Sequence, residues 1–401
     1  RREGALAATA TESIGAIKVV QAFSLEKILE RAFSHQSKKS LKEGVRGKRL
    51  AARLERTVDV LIATGTALVL WYGAWLAIRG ALSAGDLVVF LNYLKRAFRP
   101  VRDLAKYSGR IAKATAAGER VLDVLETVPE IRNLPGAVRA PPFRGAVRFE
   151  DVSFAYEPTQ IVLKDVSFEV WPSQHVALVG PSGGGKSTLA SLLLRLYDPV
   201  QGHILIDERD IREYTLASLR AQISIVLQES ILFAVSVRDN IAYGSPDATA
   251  EEIEAAARLA NADDFIQALP EGYGTILGER GETLSGGERQ RIAIARAAVR
   301  QASIVILDEP ATGLDKENER AVNEALERLT RERITFLIAH DLRTAEQADL
   351  ILYLENGRIV ERGTHAELTR LNGRYAAMHD LQSLSQSDDI AEEEVIYALA
   401  S

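Results

Sequence analysis

The sequence predicts two folds in series: an all-α segment that crosses a membrane as a helical hairpin, then an α/β domain built around buried parallel strands. Three observations carry that prediction. Val60–Ile78 is 19 residues long without one charge. His175–Leu196 runs from a short apolar strand through a glycine-rich loop into an apolar helix. Ser303–Glu309 (SIVILDE) is a buried-strand pattern that ends in two carboxylates. Short apolar strands alternating with helices give a parallel sheet covered on its faces.

The mean composition hides this division. The chain has 401 residues, 49 Lys+Arg and 55 Asp+Glu, for a net charge of −6. At one domain per ~150 residues, that length holds two or three domains. Residues 1–142 carry 24 basic against 13 acidic side chains, and the remainder 25 against 42, so the halves stand at +11 and −17. Such a split argues against a partner that binds the whole chain as a polycation, nucleic acid included. With 47% hydrophobic and 26% charged residues, it is neither a disordered polymer nor a bundle made only of membrane spans. The absence of Cys excludes disulfides, thiolate metal sites and a cysteine nucleophile. The chain opens at Arg1 inside a helical pattern with no signal peptide, and is expected to be a segment of a longer protein.

Val60–Ile78, bracketed by Asp59 and Arg79, spans roughly 28 Å as a helix, close to the hydrocarbon thickness of a bilayer. Trp71, Tyr72 and Trp75 suit an interfacial position. A short turn, Arg79–Asp86, leads to Leu87–Leu94, followed by Lys95, Arg96, Arg99 and Arg102. The helix-compatible pattern continues to Glu126 through Pro100, which should kink it. A second span over about 84–106, or an amphipathic helix ending at the interface, fits this stretch. Ahead of the first span, residues 3–57 read as one long helix with many basic residues, which marks the cytoplasmic side. Residues 1–126 are therefore expected to form the membrane part, with spans at about 58–79 and 84–106. A linker at 127–145 holds Pro129, Pro135, Pro141 and Pro142. The second domain covers 146–382. A tail at 383–401, with five acids and no bases, reads as solvated or disordered, or else as a docking segment.

Gly180-Pro181-Ser182-Gly183-Gly184-Gly185-Lys186-Ser187 matches the phosphate-loop pattern G-x-x-x-x-G-K-[ST], and Thr188 continues into the helix. Glycines let backbone N–H groups curl around phosphate oxygens, and the helix N-terminus adds partial positive charge. Lys186 would reach the β/γ-phosphates, and the Ser187 hydroxyl would join the shell of Mg²⁺. The domain is thus an α/β P-loop nucleotidase. Asp308 is placed to hold Mg²⁺, directly or through water, and Glu309 to polarise a water against the γ-phosphate. Ser285-Gly286-Gly287-Glu288 opens the helix RQRIAIARAAVR and makes a second anion-binding helix start. One Lys-containing loop and two phosphate-grasping helix starts are reconciled by a head-to-tail dimer.

The chain resembles an ATP-binding cassette (ABC) transporter of the exporter type. LSGGE at Leu284–Glu288 is the most specific mark, and its order relative to the phosphate loop and LDE fits. The resemblance implies an ATPase with a mixed sheet core, an antiparallel β subdomain and a helical signature subdomain. It further implies that Tyr156 stacks on adenine and that Gln228 meets Mg²⁺ and the attacking water. Asp315 would communicate across the dimer, and His340 would contact the γ-phosphate. Taken singly, Tyr156, Gln228 and His340 are ordinary residues. Leu277–Gly281 (LGERG) is similar to an exporter loop that touches helices descending from the membrane.

The implied cofactors are ATP and Mg²⁺. The implied partners are a second half-transporter, a second copy being preferred to a different chain, a lipid bilayer, and a lipid, drug-like or peptide cargo. The implied location is a bacterial inner membrane with the ATPase in the cytoplasm. Three features depart from the family pattern: Glu288 where Gln is frequent, ATGLD at Ala311–Asp315, and Asp341 after His340. A soluble ABC ATPase would have no need of Val60–Ile78, and a non-hydrolysing subunit would have no need of Glu309 and His340.

Overall fold

A computed structural model describes residues 9–11, 13–278 and 281–383, and the chain divides into two units between Val128 and Pro129. The first unit is helical: α1 (Ile17–Ala22), α2 (Glu26–Ile78) and α3 (Ala84–Leu125). The single helix expected over residues 3–57 is broken between α1 and α2. Ser24 takes φ 51°, its N–H donates to Gln21 O at 3.2 Å, and Leu25 N–H donates to Val20 O at 2.9 Å. This pair of bonds around a left-handed residue is a Schellman stop. Serine competes with helix by bonding locally, which a reading for charge periodicity does not register.

Helix α2 then runs 53 residues without interruption and joins the basic arm to the apolar run. Asp59–Ile78 has a mean hydropathy of 1.7, and only 6% of its most apolar window is buried in the structure. It is therefore no core helix of this unit. Within it, the Thr64 and Thr66 hydroxyls donate to Val60 O at 2.8 Å and Ile62 O at 2.7 Å. Those bonds satisfy polar atoms that hydrocarbon could not. Trp75 stacks with Tyr72 and lies under the Arg79 guanidinium at the helix end. Ser83 and Asp86 cap α3 reciprocally. Gly73 is buried, and a Cβ there would stand 2.3 Å from Leu87 Cδ1, so a missing side chain is what lets α2 and α3 approach. Helix α3 continues through Pro100, but its apolar part is only Ala84–Leu94. Among the described residues, Asp59–Ile78 is the one helix long and apolar enough to cross a membrane unaided.

The second unit holds two sheets. β1 (Val147–Glu157), β2 (Gln160–Val170), β4 (Gln201–Ile206) and β5 (Arg209–Asp210) form an antiparallel sheet in the order β2-β1-β4-β5. The other sheet is mixed. Its order is β10-β9-β3-β8-β7-β6, from β3 (His175–Val179), β6 (Ile223–Val226), β7 (Ile304–Asp308), β8 (Ile334–Ile338), β9 (Leu350–Glu355) and β10 (Arg358–Gly363). Five of these strands are parallel and β10 closes the edge antiparallel. Phe149 and Phe168 stack at 4.5 Å, and Phe168 meets Phe336, which joins the two sheets through one core. The helices are α4 (Lys186–Leu193), α5 (Leu216–Ala221), α6 (Val237–Ala242), α7 (Ala250–Leu259), α8 (Asp263–Ala268), α9 (Gly286–Val299), α10 (Lys316–Thr330), α11 (His365–Leu371) and α12 (374–383). A second core of Ile, Leu, Val and Ala packs α6–α10 against β6 and β7. The predicted mixed sheet, antiparallel β subdomain and helical subdomain are all present.

Candidate functional site

Strands β3, β8, β7 and β6 lie side by side, with Leu178 and Asp308 both in register with Ile338, and Val226 with Leu307. Their carboxyl ends therefore open on one edge, the edge at which open parallel sheets bind ligands. Four adjacent strand ends release sequence-predicted residues there. Gly180 follows β3, Asp308 ends β7 and Glu309 follows it, Gln228 lies two residues past β6, and His340 two residues past β8.

At three positions the phosphate loop takes a backbone conformation that favours glycine. Gly180, Gly183 and Gly185 have φ of 129°, 78° and 104°. A Cβ on Gly180 would lie 2.1 Å from Leu354 O, and one on Gly185 would lie 2.5 Å from Leu163 Cδ2. Gly185 is the left-handed cap from which α4 starts. Pro181 and Ser182 are exposed on the loop, and Gly184 N–H closes it onto Pro181 O at 3.1 Å. Lys186 folds back into the loop and donates to Gly180 O at 2.7 Å and Pro181 O at 3.0 Å.

The charges around Lys186 are unbalanced. Burial holds its ammonium pKa below the ordinary lysine value, opposed by the fields of Glu309 and Asp308. Asp308 is pushed above the usual carboxylate range, first by burial and then by Glu309, with Lys186 opposing. Two carboxylates and one ammonium thus share a partly desolvated edge, where a further cation would relieve the excess. Asp308, the exposed Ser187 hydroxyl and the exposed Gln228 amide are hard oxygen donors of the kind Mg²⁺ takes, so the donor set fits that ion. Glu309 adopts φ 47°, an uncommon backbone for a non-glycine residue, while its N–H donates to Ile338 O at 3.3 Å.

Tyr156, at the end of β1, is 52% exposed beside the loop. Its hydroxyl lies 3.2 Å from the hydroxyl of buried Thr188, and Phe154 and Tyr197 hold the ring edge-on at 4.9 and 5.1 Å. It is a flat aromatic platform fixed to the phosphate helix.

A second group of predicted residues forms elsewhere in the unit. Ser285 caps α9, with its N–H donating to Glu288 Oε2 at 2.7 Å and its hydroxyl accepting from Glu288 N–H at 3.3 Å. Glu288, one of the departures from the family pattern, is therefore occupied as the reciprocal cap. A Cβ on Gly287 would fall 2.3 Å from Asn318 Cγ, whereas one on Gly286 would meet only ordinary contact. Asn318 in turn donates to both Asp315 carboxylate oxygens, at 2.9 Å from its backbone and 2.7 Å from its side chain. Those bonds hold the Asp315 pKa low. The LSGGE helix start and Asp315 are thus neighbours through Asn318. Among the described residues, no hydrogen bond or ion pair ties Ser285–Glu288 to the phosphate loop.

Three positioning residues escape sequence reading. Buried Gln290 on α9 donates to Leu227 O at 3.2 Å and accepts from the Ser230 hydroxyl, so it ties the backbone before Gln228 and a side chain after it. Gln382 on α12 donates to His340 O at 2.8 Å and accepts from Leu342 N–H at 3.0 Å. Asn318 is the third. A glutamine amid the isoleucines and alanines of α9 was the only sequence signal for any of them. Of the LGERG loop, Glu279 and Arg280 lie outside the described residues, as does the tail from 384 to 401.

Comparison with known proteins fits this geometry. A family model described as ABC transporter matches residues 163–312, and one described as ABC transporter transmembrane region matches residues 2–101. The chain is 40% identical over 375 residues to a putative multidrug export ATP-binding/permease protein, YgaD of Bacillus subtilis, covering 93% of this chain and 65% of the relative. It is 41% identical over 390 residues to an ATP-dependent lipid A-core flippase of Syntrophus aciditrophicus, covering 97% and 64%. It thus spans just under two thirds of these relatives' length. A bacterial Atm1-family ABC exporter, solved with ATP bound, superposes with TM-score 0.88 at 37% identity, over 95% of this chain and 67% of that one.

Proposed function

Because this chain belongs to the ABC transporter family, in its exporter branch, we propose that it is the ATP-hydrolysing part of a half-transporter that moves an amphipathic cargo across a membrane. The observation that supports this most is the split of the predicted residues. One group lies along four neighbouring strand ends, and a second has, among the described residues, no hydrogen bond or ion pair to the phosphate loop. A single chain then offers one half of two composite sites. Two copies placed head to tail bring the Ser285–Glu288 helix start of each to the phosphate loop of the other.

In the proposed reaction, Tyr156 stacks on adenine, and the loop N–H groups with Lys186 hold the β- and γ-phosphates of ATP. Glu309 orients a water and draws its proton as the water oxygen attacks the γ-phosphorus. The bond from that phosphorus to the bridging oxygen breaks, and ADP and phosphate leave. Mg²⁺, held by Ser187, Asp308 and Gln228, would neutralise phosphate charge at this edge. Lys186 takes up developing negative charge, His340 contacts the γ-phosphate, and Asp315 signals across the dimer. Catalysis here is positioning and fixed charge rather than covalent chemistry.

The basic arm supports a cytoplasmic location for the ATPase, which for a bacterial chain is the inner side of the plasma membrane. Helix α3 over 84–106 would make the second crossing. The cargo class is a lipid, a drug-like amphiphile or a peptide, and the partner is a second copy of the chain. ATPase activity per chain in detergent is expected to rise steeply with protein concentration. Activity per chain that stays constant on dilution far below the micromolar range would contradict a site completed by a second copy.

A further inference from the structure

Three side chains outside the ATPase site converge behind His340. Glu346 ends the short 3₁₀ turn Leu342–Ala345, His365 begins α11, and His379 lies on α12. One ligand atom from each lies within 4.8 Å of the other two. His379 Nε2 is 2.9 Å from Glu346 Oε1, and the two imidazole rings are 5.1 Å apart. We propose that Glu346, His365 and His379 form a binding site for a divalent transition metal of the zinc class.

The chemistry favours such an ion over Mg²⁺. Two imidazoles and one carboxylate make a borderline donor set, suited to Zn²⁺, whereas Mg²⁺ wants oxygen. Tetrahedral Zn²⁺ with ligands at about 2.0–2.2 Å needs ligand atoms roughly 3.3–3.5 Å apart. The His379–Glu346 pair is already inside that distance, and the ligand atom of His365 lies within 4.8 Å of both. Three protein ligands leave the fourth position to water.

His365 also has the outer partner that ligating histidines have. Its Nδ1 lies 2.8 Å from the Tyr375 hydroxyl, and with Nδ1–H donating to that oxygen the lone pair on Nε2 is left for a metal. Tyr375 is fully buried, so this outer partner is held in place by the packing around it. A bare His379–Glu346 ion pair would require neither His365 nor this buried hydroxyl. The site would fasten α12 to the turn behind His340, on the same helix whose Gln382 bonds the His340 backbone.

The test uses the tag-free full chain in detergent, stripped of metal with a chelator and free of nucleotide and Mg²⁺. Calorimetric titration with zinc chloride is expected to show one tight site per chain, and zinc should raise the unfolding temperature. His365→Gln and His379→Gln should each weaken that site by at least about ten-fold, and Tyr375→Phe, which keeps the packing, by roughly the same factor. The proposal is overturned if the wild type binds zinc no more tightly than about 1 mM. It is equally overturned if the double histidine variant, folded by circular dichroism, binds as tightly as the wild type.

Discussion

Glu309→Gln is expected to slow ATP turnover by roughly 10²–10⁴-fold, the usual worth of a general base, while ATP binding persists. The substitution is nearly isosteric and keeps the amide that donates to Ile338 O, so the turn after β7 should stand. What it removes is one of the two carboxylates at the strand edge. That loss also removes a charge that raises the Asp308 pKa, so Asp308 should ionise more readily in the variant. Nucleotide affinity should therefore hold or improve as turnover collapses. Phosphate release measured beside equilibrium binding of a fluorescent ATP analogue separates the two effects. Wild-type turnover in the variant would remove Glu309 from the reaction.

Lys186→Ala acts earlier, on nucleotide binding itself. The ammonium is the one side-chain cation inside the loop, and it is held between Gly180 O and Pro181 O, ready to swing to phosphate. A charge-assisted hydrogen bond is worth about 1.5–3 kcal/mol, which is a loss of roughly ten- to a hundred-fold in affinity. The fold should survive, because the burial cost that lowers the Lys186 pKa disappears with the charge. The carbonyls it leaves belong to a loop whose φ angles are set by glycine. Equilibrium binding of ATP, with circular dichroism as the control for folding, reads this directly. Unchanged affinity in a folded variant would contradict the assignment.

What could be read from the sequence was what is contiguous in it. The phosphate loop is one run of eight residues, and its backbone angles follow from glycine. Asp308 and Glu309 terminate a strand whose apolar pattern announces a buried position, so their place at a sheet edge was legible too. The uncharged run Val60–Ile78 gave its helix without ambiguity. The break at Phe23–Leu25 was not legible, because a Schellman stop depends on one serine adopting a left-handed backbone inside a helix-compatible pattern. Nor were Gln290, Asn318 and Gln382, which act at residues far from them in the chain or across a turn. Gln382 holds the His340 backbone from 42 residues away, and Gln290 reaches Leu227 from 63 away. An amide side chain carries no charge, periodicity or motif that would point to such a distant partner.

In the proposed dimer each ATP is enclosed by two chains, the phosphate loop of one and the LSGGE helix of the other. Mixing two defective chains distinguishes this arrangement from a site closed within one chain. Lys186→Ala disables the loop. Gly286→Asp puts a carboxylate at an anion-binding helix start, at a position where a Cβ meets only ordinary contact, so the fold should tolerate it. Each variant alone should be inactive. In a mixed dimer, one site carries both lesions and the other carries neither, so co-assembled chains should recover measurable ATP hydrolysis. Mixed dimers that form and remain as inactive as either parent would contradict the head-to-tail account.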